Sequence, residues 1–196
     1  MTALQPTSEL EAINRMLRGI GSSPVSTLAD SGDVDVVSAV STLRDVSRQV
    51  QQKGWHFNTE IEFPLVPASP SKEITLPSNC LRVDTTGYDA LLDVVQRGSR
   101  LYNRKERSYQ FDKTIKVDML VFLPFDELPE SARNYIAIKA TRMFQDAQLG
   151  SEALHVYQLE DELDALADLE EAESSTADLN ILLGNYSSLD IVDRNI

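Results

Sequence analysis

The sequence predicts an α+β fold: an antiparallel bundle of about four helices, an inserted small antiparallel β-sheet domain, and an extended C-terminal tail. Three observations carry this reading. Apolar residues recur at helical spacing between Ser8 and Lys53, and again between Leu128 and Glu173. At Trp55 the period changes from about 3.6 to about 2, and short strand-like runs follow as far as Leu123. A polar SSTAD linker then opens a tail rich in Ile and Leu. The boundaries are a helical hairpin at 1–54, a β domain at 55–124, a second helical hairpin at 125–174 and a tail at 175–196. A chain of this length buries roughly 70% of its unfolded surface, so it needs no covalent staple.

Residues 1–7 read as loose. Ser8 and Glu11 form a capping-box pair, and Leu10, Ile13, Leu17 and Ile20 follow as an amphipathic helix. The loop GIGSSPVSTL ends it, with Val25 and Leu28 expected on the core. A second helix runs from about Val34 to Lys53. Its buried stripe is Val36, Val40, Leu43, Val46 and Val50, with Arg44, Arg48, Gln49, Gln51 and Gln52 facing outward. Gly54 stops it. Trp55, Phe57, Thr59, Ile61, Phe63 and Leu65 read as a half-buried strand, broken by Pro64, Pro67 and Pro70. KEITLP, CLRVDTT, ALLDVVQ, RLYN and IKVDMLVFL read as further short strands.

Leu128–Glu173 reads as two long helices joined at Gly150–Ser151. Pro129 suits the first helical position. Ala132, Ile136, Ala140, Met143 and Ala147 line the first arm, beside Tyr135 and Phe144. Ser151 is the expected cap of the second arm, whose apolar stripe is Val156, Leu159, Leu163, Leu166 and Leu169. In the tail, Ile181, Leu182, Leu183, Tyr186, Leu189, Ile191 and Val192 are too apolar for a solvated end. They pack on their own domain or dock on a neighbouring chain as an interface.

The net charge of −13 is unevenly placed. Between Met143 and Asp193 there is no Lys or Arg, against 13 Asp and Glu, while the rest of the chain balances. Glu160, Asp161, Asp164 and Asp168 form an acidic face. That face is a solvated helix surface, a wall that repels DNA, or a seat for a basic partner. No basic face of the size a nucleic-acid reader needs is present, so sequence-specific nucleic-acid binding is not expected. RGSRLYNRKERSYQFD interleaves cations with tyrosines, and Arg104, Lys105 and Arg107 are its candidate contact residues. It can touch single-stranded nucleic acid or serve as a protein-contact loop.

Cys80 is the one cysteine, so no internal disulfide forms, and a nucleophilic role would need a partner base. His56 and His155 are distant, which makes a poor metal site, and no cofactor loop is present. Glu60 and Glu62 share a strand face and could flank a glycosidic bond only within a cleft. No catalytic residue is assigned. The N-terminus lacks the pattern of a signal peptide, and no apolar run approaches the roughly 18 residues of a membrane span.

Two blocks carry a resemblance: GWHFN at Gly54–Asn58, after GIGSSPVSTL, and LPESARNYIAIKATRMFQ at Leu128–Gln145. Their order and spacing resemble the tail tubular protein A family, the head–tail adaptors of short-tailed bacteriophages. The resemblance covers most of residues 8–186. It implies a non-enzymatic virion protein made in the host cytoplasm, assembled as a ring of twelve copies. Its partners would be the portal protein, the tail nozzle protein (tail tubular protein B), a tail fibre and further copies of itself, with DNA passing the lumen. Two rivals stand beside it: a tail component that degrades polysaccharide, and a free-standing acidic interaction module that mimics DNA.

Overall fold

The computed structural model describes residues 5–29, 32–150 and 152–176. The expected Ser151 cap, the side chain of Val156 and the seven tail residues expected at an interface lie outside the described residues. The elements in order are α1 (Glu9–Gly19), α2 (Val34–Gln51), β1 (Thr59–Leu65), β2 (Cys80–Thr85), β3 (Val94–Arg97), β4 (Arg100–Asn103), β5 (Ile115–Val121), α3 (Glu130–Leu149) and α4 (Glu152–Thr176). The fold is α+β, with four helices and two small antiparallel sheets.

The helices share one core. Ile13, Met16 and Leu17 of α1 meet Leu43, Val46 and Val50 of α2, and Tyr135, Ile136 and Phe144 of α3 close over them. The Ser8–Glu11 capping box is formed: the Glu11 amide donates to Ser8 Oγ at 3.2 Å, and the Ser8 amide to Glu11 Oε2 at 2.9 Å. Asn14 fastens the following loop by two bonds to the backbone of Val25, at 2.9 and 2.7 Å, which lays Val25 and Leu28 against the core.

The strands build a second core. β5 lies between β1 and β2 in a three-stranded antiparallel sheet, and β3–β4 is a separate hairpin. Ile115, Val117, Met119 and Val121 of β5 are buried with Leu65, Ile74, Leu76, Val83, Leu101 and Phe111. Leu123 packs against both cores.

The two cores are joined by a polar weld. Gln51, the last residue of α2, is 0% exposed. Its Nε2 donates to the Leu123 carbonyl at 3.0 Å, and the Leu123 amide donates back to its Oε1 at 2.8 Å. Asn58 Nδ2 donates to the carbonyls of Gln51 (2.9 Å) and Val121 (3.1 Å), and its Oδ1 accepts from the Trp55 amide at 2.9 Å. Trp55 Nε1 donates to the Val50 carbonyl at 2.8 Å. Gly54 sits at φ 83°, and a Cβ there would stand 3.1 Å from Leu120 Cδ1. Only glycine adopts that conformation without strain, so the tight turn between helix and sheet requires it.

Several expectations need correction. Gln51 does not face outward; it is spent on Leu123. The strand begins at Thr59, because His56–Asn58 form a 3-10 turn held by Asn58. It is not half-buried: Ile61 is 70% exposed. A register shift between Glu60 and Phe63, with Glu62 at φ 53°, disrupts the alternation. Pro64 lies inside this strand rather than ending it, which an edge strand tolerates. KEITLP forms only isolated bridges, Glu73 to Gln110 and Thr75 to Arg100. Residues 1–7 are not all loose, since Thr7 is tied to Glu130 by two bonds, at 2.8 and 2.6 Å. Pro129 precedes α3 rather than opening it, and Ala147 is exposed. On α4, Leu163 is 58% exposed, while Glu162, Ala165 and Leu169 face the bundle.

Replacing Gln51 by Leu leaves the Leu123 amide and carbonyl without partners. The variant is expected to lose about 2 kcal/mol of stability in urea denaturation, with an unchanged m-value.

Candidate functional site

The second motif block owes its pattern to carbonyl capture and ionic docking. Arg133, one turn into α3, donates to three backbone carbonyls: Leu128 at 2.7 Å, Thr7 at 3.0 Å and Asp126 at 2.5 Å. It gathers the start of the chain and the 3-10 turn Phe125–Glu127 onto α3. Glu9 adds its amide to Asp126 Oδ1 at 3.2 Å.

The α3–α4 interface is unusually polar. Arg142 Nε donates to Glu162 Oε2 at 2.6 Å, and its Nη1 to Asp146 Oδ2 at 3.2 Å. Lys139 Nζ lies 3.6 Å from Glu162 Oε1 and 3.3 Å from the Tyr135 hydroxyl. Asp146 also meets His155 Nδ1 at 2.8 Å. The Glu162 hydrogen bond, strengthened by charge, holds the Arg142 guanidinium above even its usual high pKa. Gln145 donates to the Gly19 carbonyl and accepts from Gln158, so α1, α3 and α4 meet at one side chain. At the far end of α4, Glu173 Oε2 accepts from the His56 amide at 2.5 Å, which ties the helix to the weld. The sequence reading passed over Glu162 because it sits among solvated acids. The signal was Lys139 and Arg142, two cations one turn apart on the facing helix.

Other acids of α4 point away. Glu160, Asp161, Asp164 and Asp168 are all exposed, with Leu159 and Leu163 among them. The structure gathers the cations elsewhere, on the β3–β4 hairpin and the turn after it. Arg97 lies over the Tyr102 ring at 3.6 Å and Arg100 over Tyr109 at 4.2 Å. The two tyrosines meet edge to face at 4.9 Å, giving a ladder of four side chains. Arg100 also pairs with Glu73 at 2.9 Å, and Arg104 with Asp93 at 3.3 Å. Arg104, Lys105 and Arg107 are exposed, and Arg107 sits at φ 54° in the turn.

The residues weighed for chemistry are differently placed. Burial pushes the Cys80 thiol up, away from the reactive thiolate; its Sγ lies near the Arg82 carbonyl at 3.7 Å and Gln96 Oε1 at 3.6 Å. Glu62 is taken up by Lys116 at 2.6 Å, and the bulge separates it from the strand geometry it would share with Glu60. Among the described residues no group of three or more His, Cys, Asp and Glu could hold a metal ion. Nor is any described helix long and apolar enough to cross a membrane.

The described residues form a welded, two-core body that presents one acidic helix and one basic hairpin. Its class is a structural protein that acts through its surfaces. The family model for tail tubular proteins matches residues 10–179. The chain is 30% identical over 145 residues to "Tail tubular protein A" of Klebsiella phage KP34, an alignment covering 74% of this chain and 75% of that protein. It therefore belongs to the tail tubular protein family and is a structural component of a bacteriophage tail.

Glu162→Ala leaves Arg142 with only its longer contact to Asp146 and Lys139 without its carboxylate, so urea denaturation is expected to show a loss of about 2 kcal/mol. Arg142→Met combined with Glu162→Leu removes both charges, and the pair is expected to cost less than Glu162→Ala alone.

Proposed function

We propose that this tail protein is the head–tail adaptor of a short-tailed phage. In this reading copies made in the host cytoplasm close into a ring that joins the portal to the tail nozzle, offers a seat to a tail fibre, and surrounds the path of the ejected DNA. The protein works without catalysis. The observation that carries the proposal is the family match over nearly the whole described chain, together with a relative named tail tubular protein A.

The architecture supports it. A ring between two larger assemblies must carry axial load without bending within a subunit. Gln51, Asn58 and Arg133 tie segments distant in sequence by bonds to backbone atoms, and such bonds hold position better than side-chain contacts alone. The charge balance fits a DNA path that does not grip its cargo, because an acidic surplus lowers affinity for phosphates.

Mixing the full chain with the cognate portal ring and imaging the product by electron microscopy tests the proposal. An added ring of density on one face of the portal is expected. A portal that stays bare at saturating protein sinks it.

A further inference from the structure

The basic hairpin and the acidic outer face of α4 form no ion pair with one another among the described residues. Residues 97–107 carry five cations and a single acid, Glu106. Arg97, Lys105 and Arg107 have no carboxylate partner among the described residues. On α4, Glu160, Asp161, Asp164 and Asp168 are exposed, and an apolar strip lies among them: Tyr157 is 73% exposed and Leu159 40%. No ion pair among the described residues links the hairpin to α4.

We propose that the outer face of α4 in one copy is the seat for the basic, tyrosine-bearing hairpin of a second copy. This rests on the self-assembly part of the proposed function and deepens it by naming the two surfaces. Charge complementarity selects the pairing: an acidic helix surface without cations meets a cation-rich loop with three unspent charges. The apolar parts match as well. Leu159 and Leu163 offer contact area inside the acidic face, and Tyr and Arg are the residues that carry most binding energy in protein interfaces. The hairpin is ordered before binding, because each tyrosine is already held by a guanidinium, which lowers the entropy cost of association.

The same stacking argues against nucleic acid as the occupant. Base recognition on a strand needs open aromatic faces, and here Arg97 and Arg100 cover one face of Tyr102 and Tyr109. Because helix and hairpin are different surfaces, the contact is head to tail, and repeated contacts build a ring or a filament.

Sedimentation velocity of the full chain at low salt, over a wide concentration range, tests the pairing. Two reversals are made at exposed positions, Lys105→Glu with Arg107→Glu and Asp161→Lys with Asp164→Lys, and circular dichroism checks that each variant folds. Each reversal alone is expected to weaken self-association at least about tenfold, and both together in one chain to restore it to within about threefold. A wild-type chain that stays monomeric throughout overturns the inference. So do reversals without effect, or a combined variant that is not rescued. A hairpin reversal that abolishes binding of a labelled DNA oligonucleotide yet leaves self-association intact overturns it in favour of a nucleic-acid surface. The portal-mixing assay separates the two readings. A ring that still forms on the portal with either reversal overturns this pairing and leaves the adaptor reading standing, whereas a bare portal with wild-type protein overturns the adaptor reading.

Discussion

The backbone around Leu123 must leave a sheet and enter a helical bundle within a few residues, and the rest of the structure depends on how that passage is satisfied. β5 ends at Val121 and the 3-10 turn begins at Phe125, so the residues between have neither ladder nor helix to bond to. Buried amides and carbonyls without partners are costly. Gln51 answers both groups of Leu123 at once, and Asn58 takes the last carbonyl of the strand and the end of α2 together. Position follows from this. Once the end of α2 is bonded to the exit of β5, the sheet has no freedom to rotate against the bundle. The turn carrying Gly54, Trp55 and Asn58 is then fixed in one shape.

The docking of α4 follows a different physics. Among the described side chains of its inner face the apolar ones are Ala165, Leu166 and Leu169, and a central contact is the half-buried set Arg142, Lys139 and Glu162. Ion pairs of this kind specify register more than they add stability, because desolvation offsets much of the attraction. The helix is thus placed by directional bonds at Glu162, at Gln158 and, at its far end, at Glu173. Leu159 and Leu163 are left for other contacts.

Much of this was legible in the sequence. The Ser8–Glu11 cap, the end of α3 at Gly150 and the alternation in β5 are local signals, and local signals survive folding. What failed was any inference that took polarity as a measure of exposure. Gln51 reads as a surface residue, and nothing local singles out Glu162 from its acidic neighbours, yet each is buried by a partner far away in sequence, Leu123 in one case and Arg142 in the other. The converse error placed Ile61 and Leu163 inside, since an apolar period says nothing about whether a second layer exists to cover it. The candidate surfaces were legible as charge runs. The aromatic ladder joining Arg97, Tyr102, Tyr109 and Arg100 was not, because its members come together only through the β3–β4 register and the turn that follows.

One last feature bears on how many copies can crowd together safely. β1 is an outer strand with Ile61 in the open, a composition that invites another chain to add a strand. The invitation is withdrawn by the backbone itself. Glu62 turns its amide to Asp118 Oδ1 at 3.0 Å, and Pro64 has no amide to offer. The β1 edge therefore presents a broken ladder that an added strand cannot follow.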